Sequence, residues 1–157
     1  AFVHAETSTG ALTDAAPLCA LARAHGALTV ADCVTSLGGV PVDAAAWDAD
    51  VLYSGTQKCL SAPPGLAPFA FGPRAEAAVR ARREPPRTWL GDLGLLMAYW
   101  DGEGGRTYHH TAPVNAIYGL HEALLALQGE GLAARHERHR RLHEALAAGL
   151  EALGLRF

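Results

Sequence analysis

The sequence predicts an α/β fold built on a mainly parallel sheet. Three observations predict it. Residues 1–5, 27–31, 51–53 and 66–71 are short β-prone runs. The second of these shows no clear alternation, as a strand buried on both faces reads. Helical periodicity and short connections marked by Gly, Pro and Asp separate the runs, the pattern of strand–helix alternation.

Each element has a local reason. Residues 1–5 open as a strand, and the Glu6-Thr7-Ser8-Thr9-Gly10 run at its end has the composition of a turn. Thr13 or Asp14 caps a helix that runs to about His25, with Ala15, Leu18, Cys19 and Ala22 on one face and Gly26 as the stop. The second strand ends in Asp32, and residues 33–39 form a loop in which Gly38-Gly39 permits positive φ. A short helical or irregular segment ends over residues 47–50, before the third strand, Val51-Leu52-Tyr53. Pro63-Pro64-Gly65 is a rigid turn before the fourth. Residues 74–83 read as a surface helix stopped by Pro85-Pro86, and residues 90–100 as an apolar stretch suited to a subunit surface. A flexible loop is expected over residues 102–105. Pro113 starts a helix with a stripe of Ile117, Leu120, His121, Leu124 and Leu125. Gly129-Glu130-Gly131 breaks the chain and marks the one domain boundary, between residues 1–130 and 131–157. The last helix, from about residue 132 to 149, carries Leu142, Leu146, Leu150 and Leu153 on one side. Its Arg135, His136, Arg138, His139, Arg140, Arg141 and His143 are read as the opposite, solvated side. The chain starts within one strand and stops at the beginning of another, as a segment of a longer protein would.

Composition narrows the function. The chain has 157 residues, 50% hydrophobic and 18% charged, with net charge −3. That balance gives no electrostatic case for nucleic acid or an acidic membrane surface. No apolar run approaches the roughly 20 residues that span a bilayer. Cys19, Cys33 and Cys59 are odd in number and lack CxxC spacing, so reduced thiols in a cytoplasmic setting are expected. A peroxisomal or mitochondrial setting applies if the parent is eukaryotic. His109 and His110 are adjacent, but on a strand neighbours face opposite ways and no third ligand has standard spacing, so no metal site is assigned.

Lys58 is the only lysine; the other twelve of the 13 cationic Lys and Arg residues are arginine. Lysine can lose its proton near neutral pH and attack a carbonyl, which arginine cannot. Lys58 follows the third strand through Ser54-Gly55-Thr56-Gln57, and Asp32 closes the second. Both therefore fall where open α/β sheets bind ligands. An amine and a carboxylate there suit pyridoxal phosphate, which needs a lysine for the imine and an acid to keep its pyridine nitrogen protonated. A solvated loop lysine and a turn carboxylate are the ordinary alternatives.

Five stretches in order carry a family resemblance. They are His4-Ala5-Glu6-Thr7-Ser8-Thr9-Gly10, residues 30–39 (VADCVTSLGG), Leu52-Tyr53-Ser54-Gly55-Thr56-Gln57-Lys58, Ala62-Pro63-Pro64-Gly65 and Tyr108-His109-His110-Thr111-Ala112-Pro113. The chain resembles the middle of a class V pyridoxal-phosphate-dependent aminotransferase of the alanine–glyoxylate and serine–pyruvate group. Gln57 before the lysine separates it from the cysteine desulfurases, which usually have His there. The resemblance implies part of a fold-type-I large domain plus the start of the C-terminal domain. It implies pyridoxal 5′-phosphate as cofactor and transfer of an amino group from alanine or serine to a small 2-oxo acid.

It also implies roles. Lys58 is the Schiff-base lysine and moves the substrate α-proton. Asp32 partners the pyridine nitrogen, Val34 packs on the ring, and Thr7 supplies a hydroxyl near the cofactor. Gln57 helps bind the phosphate, and Tyr108 and Thr111 reach the phosphate held by the other subunit of a homodimer. The family's upstream phosphate loop and its substrate-carboxylate arginine match nothing in this chain, so the segment alone is expected to be inactive. The alternatives are aminoethylphosphonate transamination or a lyase reaction on the same scaffold, or a non-catalytic dimerising fragment.

Overall fold

A computed structural model describes residues 1–101 and 105–156. Four strands form one sheet in the order β1 (Phe2–Val3), β2 (Val30–Asp32), β3 (Val51–Tyr53) and β4 (Phe69–Phe71). The first three are parallel, with Val3 beside Asp32 and Asp32 beside Tyr53. The mainly parallel α/β fold is therefore present. β4 runs antiparallel to β3, because the chain returns from Tyr53 to Phe69 without a crossover helix. β4 is shorter than the run 66–71. Ahead of it the pairing continues only loosely, with Ser54 N–H donating to Pro68 O (2.8 Å) and Thr56 N–H to Leu66 O (3.3 Å).

Helix α1 (Ala15–Ala24) connects β1 to β2, and its buried residues are Ala15 and Cys19. Asp14 sits at its N-cap position without a side-chain bond, and Gly26 follows with φ 69°. Helix α2 (Ala44–Trp47) is one turn, capped by the Asp43 side chain accepting from Ala46 N–H at 2.9 Å. The small core under the sheet is Ala31, Cys33 and Leu52, flanked by Phe2, Leu37, Val42 and Trp47. A buried polar knot fixes the approach to β2 and β3. The Asp50 carboxylate accepts from Thr29 N–H (2.8 Å) and from Thr29 Oγ1 (3.1 Å), and Arg74 lies 3.3 Å away. Such a buried charge is tolerable only because it is paired.

The remaining helices are α3 (Pro73–Arg80), α4 (Leu93–Asp101), α5 (Val114–Glu130) and α6 (Leu132–Ala152). The loop expected over residues 102–105 lies, for 102–104, outside the described residues. Residues 155 and 156 form no strand, and Phe157 also lies outside. Two readings of α5 and α6 need correction. Arg135 is not solvated: it is 8% exposed and is the buried residue of α6. Arg138, Arg140, Arg141 and His143 are exposed as expected, and the leucine side is open too, with Leu142, Leu146 and Leu153 at 58–79% exposure. Arg135, in the first turn of α6, is where that helix bonds to the loops at the sheet edge. The α5 residues Ile117, Leu124 and Leu125 are likewise exposed. No helix among the described residues is long and apolar enough to cross a membrane.

Candidate active site

Parallel pairing in register puts the ends of β1, β2 and β3 on one edge of the sheet. Asp32 is the last residue of β2, Thr7 lies four residues beyond β1, and Lys58 lies five residues beyond β3. This is the carboxyl edge, where a ligand meets strand ends and loops rather than a covered face.

Asp32 is half-buried and held on both oxygens. Its Oδ1 accepts from Val34 N–H at 2.9 Å, and its Oδ2 accepts from the Tyr53 hydroxyl at 2.6 Å. The Tyr53 bond follows from register, since side chains of paired residues on adjacent strands lie on one face of the sheet. The bond to the carboxylate pushes the Tyr53 hydroxyl above its ordinary pKa, so it stays a donor at neutral pH. Tyr53 escaped the sequence reading, although its place opposite Asp32 follows once β2 and β3 are paired.

The loop after β3 is folded tightly around buried hydroxyls. Ser54 Oγ donates to Cys33 O (3.0 Å), and Thr56 Oγ1 donates to Pro63 O (2.6 Å). Ser61 N–H closes a turn on Lys58 O at 2.9 Å, with Ser61 in the left-handed region at φ 62°. Lys58 and Gln57 are exposed on the outside of that loop. The Gln57 amide folds over Gly55, where a Cβ would fall 2.8 Å from Gln57 Oε1.

The three edge loops are also tied together. Thr35 Oγ1 donates to Ala5 O, and Cys59 Sγ donates to Thr35 O at 3.3 Å. Burial pushes the Cys59 thiol pKa up, with Arg135 and Lys58 opposing, so the thiol stays neutral. Thr7 lies exposed in the first loop, where Gly10 N–H bonds to Glu6 O and the Glu6 carboxylate accepts from Ser8.

Tyr108 and Thr111 are exposed and bond to each other, hydroxyl to hydroxyl, at 2.6 Å. Among the described residues no hydrogen bond or ring contact joins them to Asp32, Val34, Gln57 or Lys58. His109 and His110 do not face opposite ways as neighbours on a strand would. Residues 106–113 are not a strand, and the two rings meet through their Nδ1 atoms at 2.8 Å. His109 also stacks on Trp89, with centroids 4.0 Å apart.

The donor set fits pyridoxal phosphate. A carboxylate oxygen carries two lone pairs, so Asp32 Oδ2 keeps an acceptor position beside the Tyr53 bond. An amine, an amide and a hydroxyl are exposed on the same edge. A lysine and a carboxylate at such an edge define a candidate pyridoxal-phosphate enzyme.

The comparisons narrow the class. The aminotransferase class-V family model matches residues 1–156. Alanine–glyoxylate aminotransferase of Oryctolagus cuniculus is 39% identical over 153 residues, 97% of this chain and 39% of that protein. The (S)-ureidoglycine–glyoxylate transaminase of Bacillus subtilis strain 168 is 36% identical, over 99% of this chain and 41% of that protein. The crystal structure of alanine–glyoxylate aminotransferase from Nostoc sp. superposes with a TM-score of 0.92 at 45% identity, covering 98% of this chain and 40% of that one. The chain belongs to the class V aminotransferase family, which implies pyridoxal phosphate as cofactor. It spans about two-fifths of the length of these relatives.

Proposed function

We propose that the protein containing these residues is an aminotransferase that moves an amino group from alanine or serine to a small 2-oxo acid such as glyoxylate or pyruvate. One observation carries this reading: adjacent parallel strands in register deliver Asp32 and Lys58 to the same edge. The glyoxylate in the names of both relatives supports the acceptor.

When bound, pyridoxal phosphate supplies an electron sink for negative charge at the substrate α-carbon. Lys58 would hold the cofactor covalently, then act as base and acid at that carbon once its amine is released. Asp32 would keep the pyridine nitrogen protonated, with Tyr53 and Val34 N–H orienting its carboxylate. Val34 would pack on the ring, Thr7 would offer a hydroxyl, and Gln57 would hold phosphate. Tyr108 and Thr111 of a second copy would complete the phosphate site. The exposed apolar faces of α5 and α6 support burial against a second copy or the rest of the protein. We place the start of the small domain at Gly131, whose φ of 83° separates α5 from α6. The segment alone lacks a substrate-carboxylate arginine and is inactive in this reading.

The test is borohydride reduction of the full-length protein followed by peptide mapping. The reduced cofactor is expected on Lys58. Lys58→Ala is expected to lose the visible absorbance of the lysine-bound cofactor, and at least about 10²-fold in transamination, the scale of a positioned general base. Retained absorbance in Lys58→Ala, or lyase turnover without amino transfer, refutes the reading.

A further inference from the structure

The arginine that the helical pattern assigns to solvent is a fastener behind the lysine. Arg135 Nε donates to Gly38 O at 3.0 Å, in the loop that follows Asp32. One terminal nitrogen donates to Cys59 O at 2.5 Å and to Ser61 Oγ at 3.1 Å, in the turn that follows Lys58. The other donates to Glu130 Oε2 at 2.9 Å. A planar guanidinium with five donors can join two backbone carbonyls, a hydroxyl and a carboxylate in this way; an ammonium on a flexible stem cannot hold all of them at once.

Two features make the contact more than packing. Arg135 is 8% exposed, and a buried cation is retained only where its partners are in place. Ser61 is one of two non-glycine residues with positive φ among the described residues, and it is the residue whose N–H closes the turn on Lys58 O. Arg135 therefore bonds the strained corner of the turn that carries the lysine. The Lys58 side chain is itself exposed, so its place relative to Asp32 depends on the backbone beneath it. Misplacement of a reacting group by 1 Å costs about 10²-fold.

We propose that Arg135 is a positioning residue for Lys58: from α6 it locks the turn after the lysine to the loop after Asp32, and so sets the amine against the carboxylate. The proposal rests on the cofactor reading above. It also makes the first turns of α6, on the far side of Gly131, part of what shapes the lysine site.

The experiment is a double-mutant cycle in the full-length protein, with pyridoxal 5′-phosphate itself as the probe. Dissociation constants are measured for the unaltered protein, Arg135→Ala, Lys58→Ala and the double variant. The absorbance of the lysine-bound cofactor is followed in the first two. Arg135→Ala is expected to weaken binding about tenfold or more and to slow formation of the lysine-bound absorbance. In the Lys58→Ala background the same change is expected to alter affinity by less than about twofold. Equal losses in both backgrounds would show a general structural role and overturn the proposal, as would no loss in either. If Arg135→Ala does not fold, Arg135→Lys takes its place. It keeps the charge beside Glu130 and is expected to show a smaller loss that still depends on Lys58. An unaltered protein that never develops lysine-bound absorbance overturns the cofactor reading itself, and this proposal with it. Normal absorbance with a flat cycle overturns the Arg135 proposal alone.

Discussion

Gly39→Ala tests whether the loop after Asp32 and the loop after Lys58 are in hard contact. Gly39 is buried, and its φ is not in the left-handed region, so alanine meets no backbone penalty. Space is what it lacks. A Cβ there would fall 2.6 Å from Cys59 Sγ and 3.2 Å from Cys59 Cβ. The first distance is roughly 1 Å inside the ~3.5–4.0 Å of an ordinary contact. Relief requires either another Cys59 rotamer, which gives up the 3.3 Å bond from Sγ to Thr35 O, or a shift of the loop next to Lys58. Overpacking of this kind costs about 1–3 kcal/mol. Cys59→Ala alone removes a half-buried sulfur and should cost about 1 kcal/mol. If the clash is with the sulfur, the double variant should also lie about 1 kcal/mol below the unaltered protein. That leaves a coupling of about 1–3 kcal/mol, against additivity within about 0.5 kcal/mol for independent sites. The assay is urea unfolding of the four full-length proteins, with lysine-bound cofactor absorbance as a second signal. A neutral Gly39→Ala, or costs that simply add, would refute the contact.

Two further outcomes follow from the charge network. The Arg138 bond, helped by Arg135, holds the Glu130 carboxyl at about 2, below its ordinary 4.5. A lowered folded-state pKa contributes stability above the unfolded value, and that contribution fades as pH falls from about 4.5 toward 2. Glu130→Gln should therefore flatten the acid branch of the melting-temperature profile in this window; superimposable profiles would count against the ion pairs. Asp50→Ala strands Thr29 N–H and takes Arg74's partner, so a loss of about 3 kcal/mol is expected in chemical unfolding. Asp50→Asn keeps an acceptor for Thr29 and should lose clearly less, and equal losses would contradict the assigned bonds.

The local chemistry of the sequence determined the strand–helix alternation, the limits of α1 near Asp14 and Gly26, and the delivery of Asp32 and Lys58 to strand ends. These depend on neighbours a few residues apart, which is the range over which periodicity, caps and turn residues act. Tertiary structure alone decided the rest. β4 reversed direction because the return from Tyr53 lacks a helix. Tyr53 found Asp32 through strand register. His109 and His110 met because no strand forced their rings apart. Burial of the α6 leucines could not be inferred from their stripe, since burial depends on what covers a face and not on the pattern that makes it. Arg135 is the clearest case. Its place among the helix's charged residues reads as solvated, yet its partners Gly38 and Cys59 lie 97 and 76 residues away. No local propensity encodes a contact at that separation; it forms only when the folded chain brings two carbonyls and a hydroxyl within reach of one guanidinium, directly behind Lys58.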